Sequence, residues 1–159
     1  MTLAHGRPYL AIPGPSVMPD RVLNAMHVPA PNIYEGALEE MVHAMLPDLR
    51  AVARTEGHVA IYTCNGHGAW EAAASNIARP GDKVLVLATG RFAPGWGEVF
   101  SRLGAVVDMI DFGNQAPLDL ARIEAALRAD TAHEIKAVVT THVDTATGML
   151  SDIEGLRAA

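Results

Sequence analysis

The stretch Tyr62-Thr63-Cys64-Asn65-Gly66-His67-Gly68-Ala69-Trp70-Glu71 decides how this chain is read. It follows an apolar, strand-like segment at residues 59–64 and opens a helical pattern in which Trp70, Ala73, Ala74 and Ile77 share one face. A turn of small residues at that junction leaves the amides of the first helical turn without partners inside the helix, and the helix dipole adds positive character. Such a turn is an anion socket, most often for phosphate. Taken alone, the same residues read equally well as a plain strand-to-helix turn. A dinucleotide fingerprint fits badly, because Glu71 stands where a third glycine would permit close helix–strand packing.

Downstream of this stretch the chain alternates regularly. Residues 83–88, 105–110 and 136–140 are consecutive apolar runs like 59–64, the signature of strands buried on both faces of a parallel sheet. Between them lie helical faces: Trp96, Val99, Phe100 and Leu103, then Leu120, Ile123 and Leu127. Four strands with three crossover helices predict a doubly wound α/β domain, a mostly parallel sheet with flanking helices. Upstream, Pro8, Pro13, Pro15 and Pro19 mark an extended arm, and residues 20–26 form a short helix. Residues 36–53 are helical, with Pro47 predicting a kink or restart near Met45. The predicted organisation is an arm with a short helix at 1–35 and an incomplete large α/β domain at 36–159.

Composition narrows the function. The net charge of −6 with no basic cluster argues against nucleic acid. No apolar stretch is long enough to span a bilayer, and the N-terminus lacks a signal-peptide pattern. Cys64 is the lone cysteine, so no intrachain disulfide forms, and a soluble cytoplasmic protein is the default expectation. No His/Asp/Glu/Cys spacing makes a metal site.

In a parallel sheet the loops leaving the strands' C-terminal ends lie along one edge, where ligands bind. Those loops include residues 64–68, 89–92 and 141–148. The first carries Gly66 and His67, whose amides would meet an anion. Phe92, just past Gly90, reads alone as a lid over the sheet edge, but beside a phosphate socket it becomes a stacking platform for a flat heterocycle. Thr145 could bond a ring substituent, although Asp144-Thr145 and Thr147-Gly148 are also ordinary loop pairs. Phosphate socket, aromatic platform and hydroxyl together describe a pyridoxal phosphate pocket.

With those motifs in place, the chain resembles the serine/alanine–glyoxylate aminotransferases, class V members of the fold type I pyridoxal phosphate enzymes. The resemblance runs from Pro13-Gly14-Pro15-Ser16 through Gly66-His67-Gly68-Ala69-Trp70-Glu71 and Thr89-Gly90-Arg91-Phe92 to Thr145-Ala146-Thr147-Gly148. It implies that Asn65, Gly66 and His67 form the phosphate cup, that Phe92 stacks on the pyridine ring, and that Thr145 bonds near its phenolic oxygen. It further implies that Pro13, Gly14 and Tyr34 lie near the substrate and the interface of a homodimer. The implied substrates are a small amino acid, serine or alanine, and a 2-oxo acid such as glyoxylate. Asn32-Ile33-Tyr34-Glu35-Gly36 departs from the Asp-His-Arg-Gly type of sequence in many relatives, which leaves substrate preference open.

Transamination needs a lysine that forms a Schiff base with the cofactor. The chain has ten arginines but only two lysines, Lys83 and Lys136, and both begin strands. A strand of five or six residues separates its ends by about 17–20 Å, beyond a side chain's reach. The reading is therefore an N-terminal portion holding part of the cofactor pocket, with no catalytic residue of its own and inactive alone. The alternatives are another class V enzyme, such as a desulfurase or lyase, or a non-catalytic α/β module binding a phosphorylated ligand.

Overall fold

Residues 83–88 hold the most apolar run of the chain, and the fold is built around them. The computed structural model describes residues 10–12 and 14–159. Strand β1 (Lys83–Ala88) is the centre of a three-stranded parallel sheet of order β2-β1-β3, flanked by β2 (Val106–Asp111) and β3 (Ile135–Thr140). Lys83 to Ala88 pair in register with Val106 to Asp111, and Leu87 pairs with Thr140 after one irregularity between Lys83 and Val84. Val84 through Ala88 are buried, as a central strand covered on both faces requires.

Alternation along β1 divides the core in two. Val84, Val86 and Ala88 pack with Ala74 of α3 (Gly66–Ile77) and with Ala93 and Phe100 of α4 (Phe92–Arg102). Leu85 and Leu87 pack on the other face with Ile110 and with Ile123 of α5 (Leu120–Ala129). The β1–β2 crossover thus covers one face and the β2–β3 crossover the other, which makes the sheet doubly wound. After β3 comes a short hairpin, β4 (Val143–Asp144) with β5 (Met149–Leu150), and then α6 (Ile153–Ala158), whose Leu156 joins the second cluster.

The described chain falls into two units that divide after Ile61. The first contains α1 (Asp20–Met26) and α2 (Ala37–Ala53). Pro47 lies inside α2 without a restart: all 17 residues form one helix, closed by Arg54 in the left-handed conformation. Neither helix has a buried residue.

The predicted strand at 59–64 does not form. Val59 is half-buried, the residues after it are exposed, and Cys64 donates to the Tyr62 carbonyl at 3.0 Å in a local turn. Both edges of β1 are taken by β2 and β3, and no further described strand lies along their outer edges. Apolar side chains alone do not make a strand, because its backbone groups need a neighbouring ladder. The parallel sheet therefore has three strands among the described residues, not four.

Candidate cofactor site

Helix α3 begins where the turn places it. Asn65 is extended at the N-cap, and its Oδ1 accepts the amides of His67 at 3.1 Å and Gly68 at 3.4 Å. Asparagine is among the best N-caps for this reason. The turn is tight: a Cβ on Gly68 would lie 2.6 Å from the Cys64 Cβ. Gly66 makes no hydrogen bond through its amide among the described residues, and a Cβ there would meet nothing within 4 Å. The first turn of α3 thus offers one donor without an acceptor among the described residues and two more held by a side-chain oxygen that a stronger acceptor could replace.

Helix α3 packs on α4 through aromatic rings. Trp70 stacks on Trp96 with centroids 5.9 Å apart, and Phe92 meets Trp70 edge-on at 6.0 Å. His67 lies 4.7 Å from Trp70 and 6.2 Å from Phe92. Two residues singled out from sequence, 25 positions apart and on different helices, therefore share one cluster. Phe92 is the first residue of α4 and is half-buried.

Asp144 joins this cluster to the loop after β3, and sequence reasoning treated it as turn chemistry only. Its carboxylate is fully buried. Oδ1 accepts the amides of Ala146 at 2.9 Å and Thr147 at 3.2 Å, while Oδ2 accepts the Phe92 amide at 2.9 Å. Burial by itself would raise its pKa, but the amides of Phe92, Ala146, Thr147 and Arg91 together outweigh burial and hold the carboxyl below the usual aspartate value. Gly90 makes the approach possible, since a Cβ there would sit 2.5 Å from Asp144 Oδ2. Thr145, next in the chain, is exposed in the turn between β4 and β5, and its hydroxyl has no hydrogen bond among the described residues. The Thr89 hydroxyl, at the end of β1, is buried without a partner.

The lysines stand at the other edge of the sheet. Lys83 starts β1 and pairs with Asp108 at 3.1 Å and Glu134 at 4.0 Å. The Asp108 carboxylate, through its hydrogen bond and its charge, holds the Lys83 ammonium above the usual lysine pKa. Lys136 lies beside Arg79 and Asp82 on a concavity of about 630 Å³ at the end of α3. In the first unit, Tyr34 is exposed and donates its amide to Asn32 Oδ1 at 3.0 Å, and Gly14 is exposed. Pro13 lies outside the described residues. No cluster of His, Cys, Asp and Glu among the described residues could hold a metal, and no described helix is long and apolar enough to cross a membrane.

The fold is that of the fold type I aminotransferases, of whose solved structures this chain matches less than half. The chain belongs to the aminotransferase class-V family, whose model matches residues 9–159. It is 40% identical over 157 residues to the serine–glyoxylate aminotransferase of Methylorubrum extorquens, covering 97% of this chain and 39% of that protein. It is 36% identical over 151 residues to the L-aspartate–glyoxylate aminotransferase of Paracoccus denitrificans, covering 93% of this chain and 38% of that protein. The crystal structure of the alanine–glyoxylate aminotransferase from Nostoc sp. superposes with a TM-score of 0.77 at 25% identity, covering 99% of this chain and 45% of that structure. The chain thus spans 39%, 38% and 45% of the length of these relatives, in that order.

Proposed function

We propose that this chain forms part of the cofactor pocket of a pyridoxal phosphate-dependent aminotransferase acting on serine or alanine and glyoxylate. The observation that carries the reading is the 6.2 Å approach of His67, at the N-terminus of α3, to Phe92, at the strand-end edge of the sheet. It brings a side chain of the first turn of α3, the turn whose amides are the anion donors, to a flat apolar ring, as a phosphorylated heterocycle requires. The free Gly66 amide and the open space at its Cα fit a phosphate, and the Asn65 carboxamide is the group that would yield the His67 and Gly68 amides to it.

When bound, pyridoxal phosphate supplies the electron sink that stabilises a carbanion at the amino acid's α-carbon. The residues of this chain bind and orient. The amides of Gly66 and His67 would hold the phosphate, Phe92 would support the ring, and the Thr145 hydroxyl would be free to bond a ring oxygen. Neither Lys83 nor Lys136 takes part, because Lys83 is ion-paired and the two lysines are the first residue of β1 and the second of β3, at the far edge. Gly14, Pro13 and Tyr34 belong to the substrate side of the same reading. The donor is read as serine or alanine from the resemblance, while the named relatives include one that uses aspartate.

A homodimer in the cytoplasm completes the proposal. Exposed Met41, Val42 and Met45 on α2 supply an apolar face of the kind that a second copy covers. The test of the activity is an assay for amino transfer from serine, alanine and aspartate to glyoxylate, by a polypeptide of the relatives' length carrying this chain. Turnover with serine or alanine bears the proposal out, and turnover with neither, whether or not aspartate is used, overturns it.

A further inference from the structure

We infer that Asp144 is a positioning residue that sets the ring of Phe92 from the neighbouring strand's loop. Helix α4 lacks a local cap: Arg91 at the N-cap is helical in conformation and makes no side-chain cap bond. The Phe92 amide, at the first helical position, has no acceptor within its own helix. Pro94 has no amide hydrogen, so it adds no donor to the same turn. The acceptor comes instead from Asp144, 52 residues away.

The carboxylate works in two directions. One oxygen ties Ala146 and Thr147 into the turn that carries Thr145, and the other fixes where α4 starts. Because Phe92 is the first residue of the helix, fixing its amide fixes the direction of its Cα–Cβ bond. The ring is then held edge-on to Trp70 and beside His67. β1 and β3 are neighbours whose following elements pack on opposite faces of the sheet, α4 on one and α6 on the other. Such a divergence opens a crevice at the strand ends. Asp144 closes it with a hydrogen bond and thereby makes the positions of Phe92 and Thr145 depend on each other. A neutral carboxamide is a poor replacement, since its NH₂ would face amide hydrogens on one side.

The functional end of this inference rests on the pyridoxal phosphate reading, whereas its structural end does not, and the experiment separates them. In the unaltered 159-residue chain, a long-range NMR experiment reads scalar coupling across the hydrogen bond from the Phe92 amide nitrogen to the Asp144 carboxyl carbon. Coupling, with a strongly downfield Phe92 amide proton, is expected, and its absence overturns the inference without any variant. Pyridoxal phosphate is then titrated against the quenching of Trp70 and Trp96 in the parent, in Asp144→Asn and in Asp119→Asn. Asp119 caps α5 through the Arg122 amide at 3.1 Å, so its variant makes the same Asp→Asn change at a capping carboxylate away from the aromatic cluster. Asp144→Asn is expected to weaken binding by about tenfold, the equivalent of one charge-assisted hydrogen bond. Asp119→Asn should leave binding unchanged. Equal weakening in both variants, or none in Asp144→Asn, overturns the positioning role. If Asp144→Asn does not fold, Gly90→Ala displaces the carboxylate while keeping its charge, and its near-ultraviolet circular dichroism reads the aromatic cluster directly. An unchanged aromatic spectrum in a folded Gly90→Ala chain counts against the inference. If the parent binds no pyridoxal phosphate, the cofactor reading fails, and the coupling and the aromatic spectrum still decide on Asp144.

Discussion

The Phe92 amide donates to the Asp144 carboxylate at 2.9 Å across 52 residues of sequence. This bond brings the loops after β1 and β3 together at the strand ends. It also explains why Gly90 is glycine: the space a Cβ would fill is occupied by Asp144 Oδ2 and, at 3.1 Å, by the Thr147 hydroxyl.

Gly90→Ala is therefore expected to destabilise the chain by roughly 1–3 kcal/mol, the usual cost of overpacking a tight site. Thermal unfolding followed by circular dichroism measures it. Gly66→Ala, whose Cβ meets nothing within 4 Å, serves as the comparison and should cost less than Gly90→Ala.

Asn65→Ala removes the acceptor of the His67 and Gly68 amides. Denaturant unfolding should show a loss of about 1 kcal/mol, typical of a deleted N-cap. If phosphate takes over those amides as proposed, saturating pyridoxal phosphate should narrow the stability gap between variant and parent. A gap that does not narrow would separate the cup from the cofactor.

Acid should weaken the fold through Asp144. Its folded pKa lies below the ordinary value, so its contribution is fully present above the ordinary aspartate pKa and is lost as pH falls through the lowered one. Asp130, whose carboxylate accepts the Ile135 amide at 2.8 Å and the Glu134 amide at 3.1 Å, is shifted the same way and adds to the same limb. Unfolding midpoints measured against pH should fall on the acid side, and Asp144→Asn should flatten that fall while lowering the neutral plateau. Lys83 acts at the other end: its raised pKa gives a contribution present below the ordinary lysine value and lost as pH rises through the folded one.

The sequence made the central strand readable because its burial on both faces leaves an uninterrupted apolar run from Val84 to Leu87. The starts of β2 and β3 fall one residue from the predicted ones. Residues 59–64 misled because they have a strand's side chains while pairing depends on a partner that local sequence does not reveal. His67 and Phe92 were readable as candidates from turn chemistry and loop position. Asp144 was half readable: its bonds to Ala146 and Thr147 are those of a turn aspartate, and its bond to Phe92 has no local signature. The Asn65 cap was readable in principle, since asparagine before a helix commonly caps it.

The central claim is that the residues from Asn65 to His67, with Phe92, form part of a pyridoxal phosphate pocket that holds the cofactor here without a covalent bond. Its most direct test is a titration of the 159-residue chain with pyridoxal phosphate, read by tryptophan quenching, followed by borohydride reduction and peptide mapping. The account predicts saturable quenching that weakens in Phe92→Ala by about 1 kcal/mol beyond the loss of contact area, and no cofactor specifically fixed at Lys83 or Lys136. Quenching that Phe92→Ala leaves unchanged, or cofactor specifically trapped on either lysine, would contradict it.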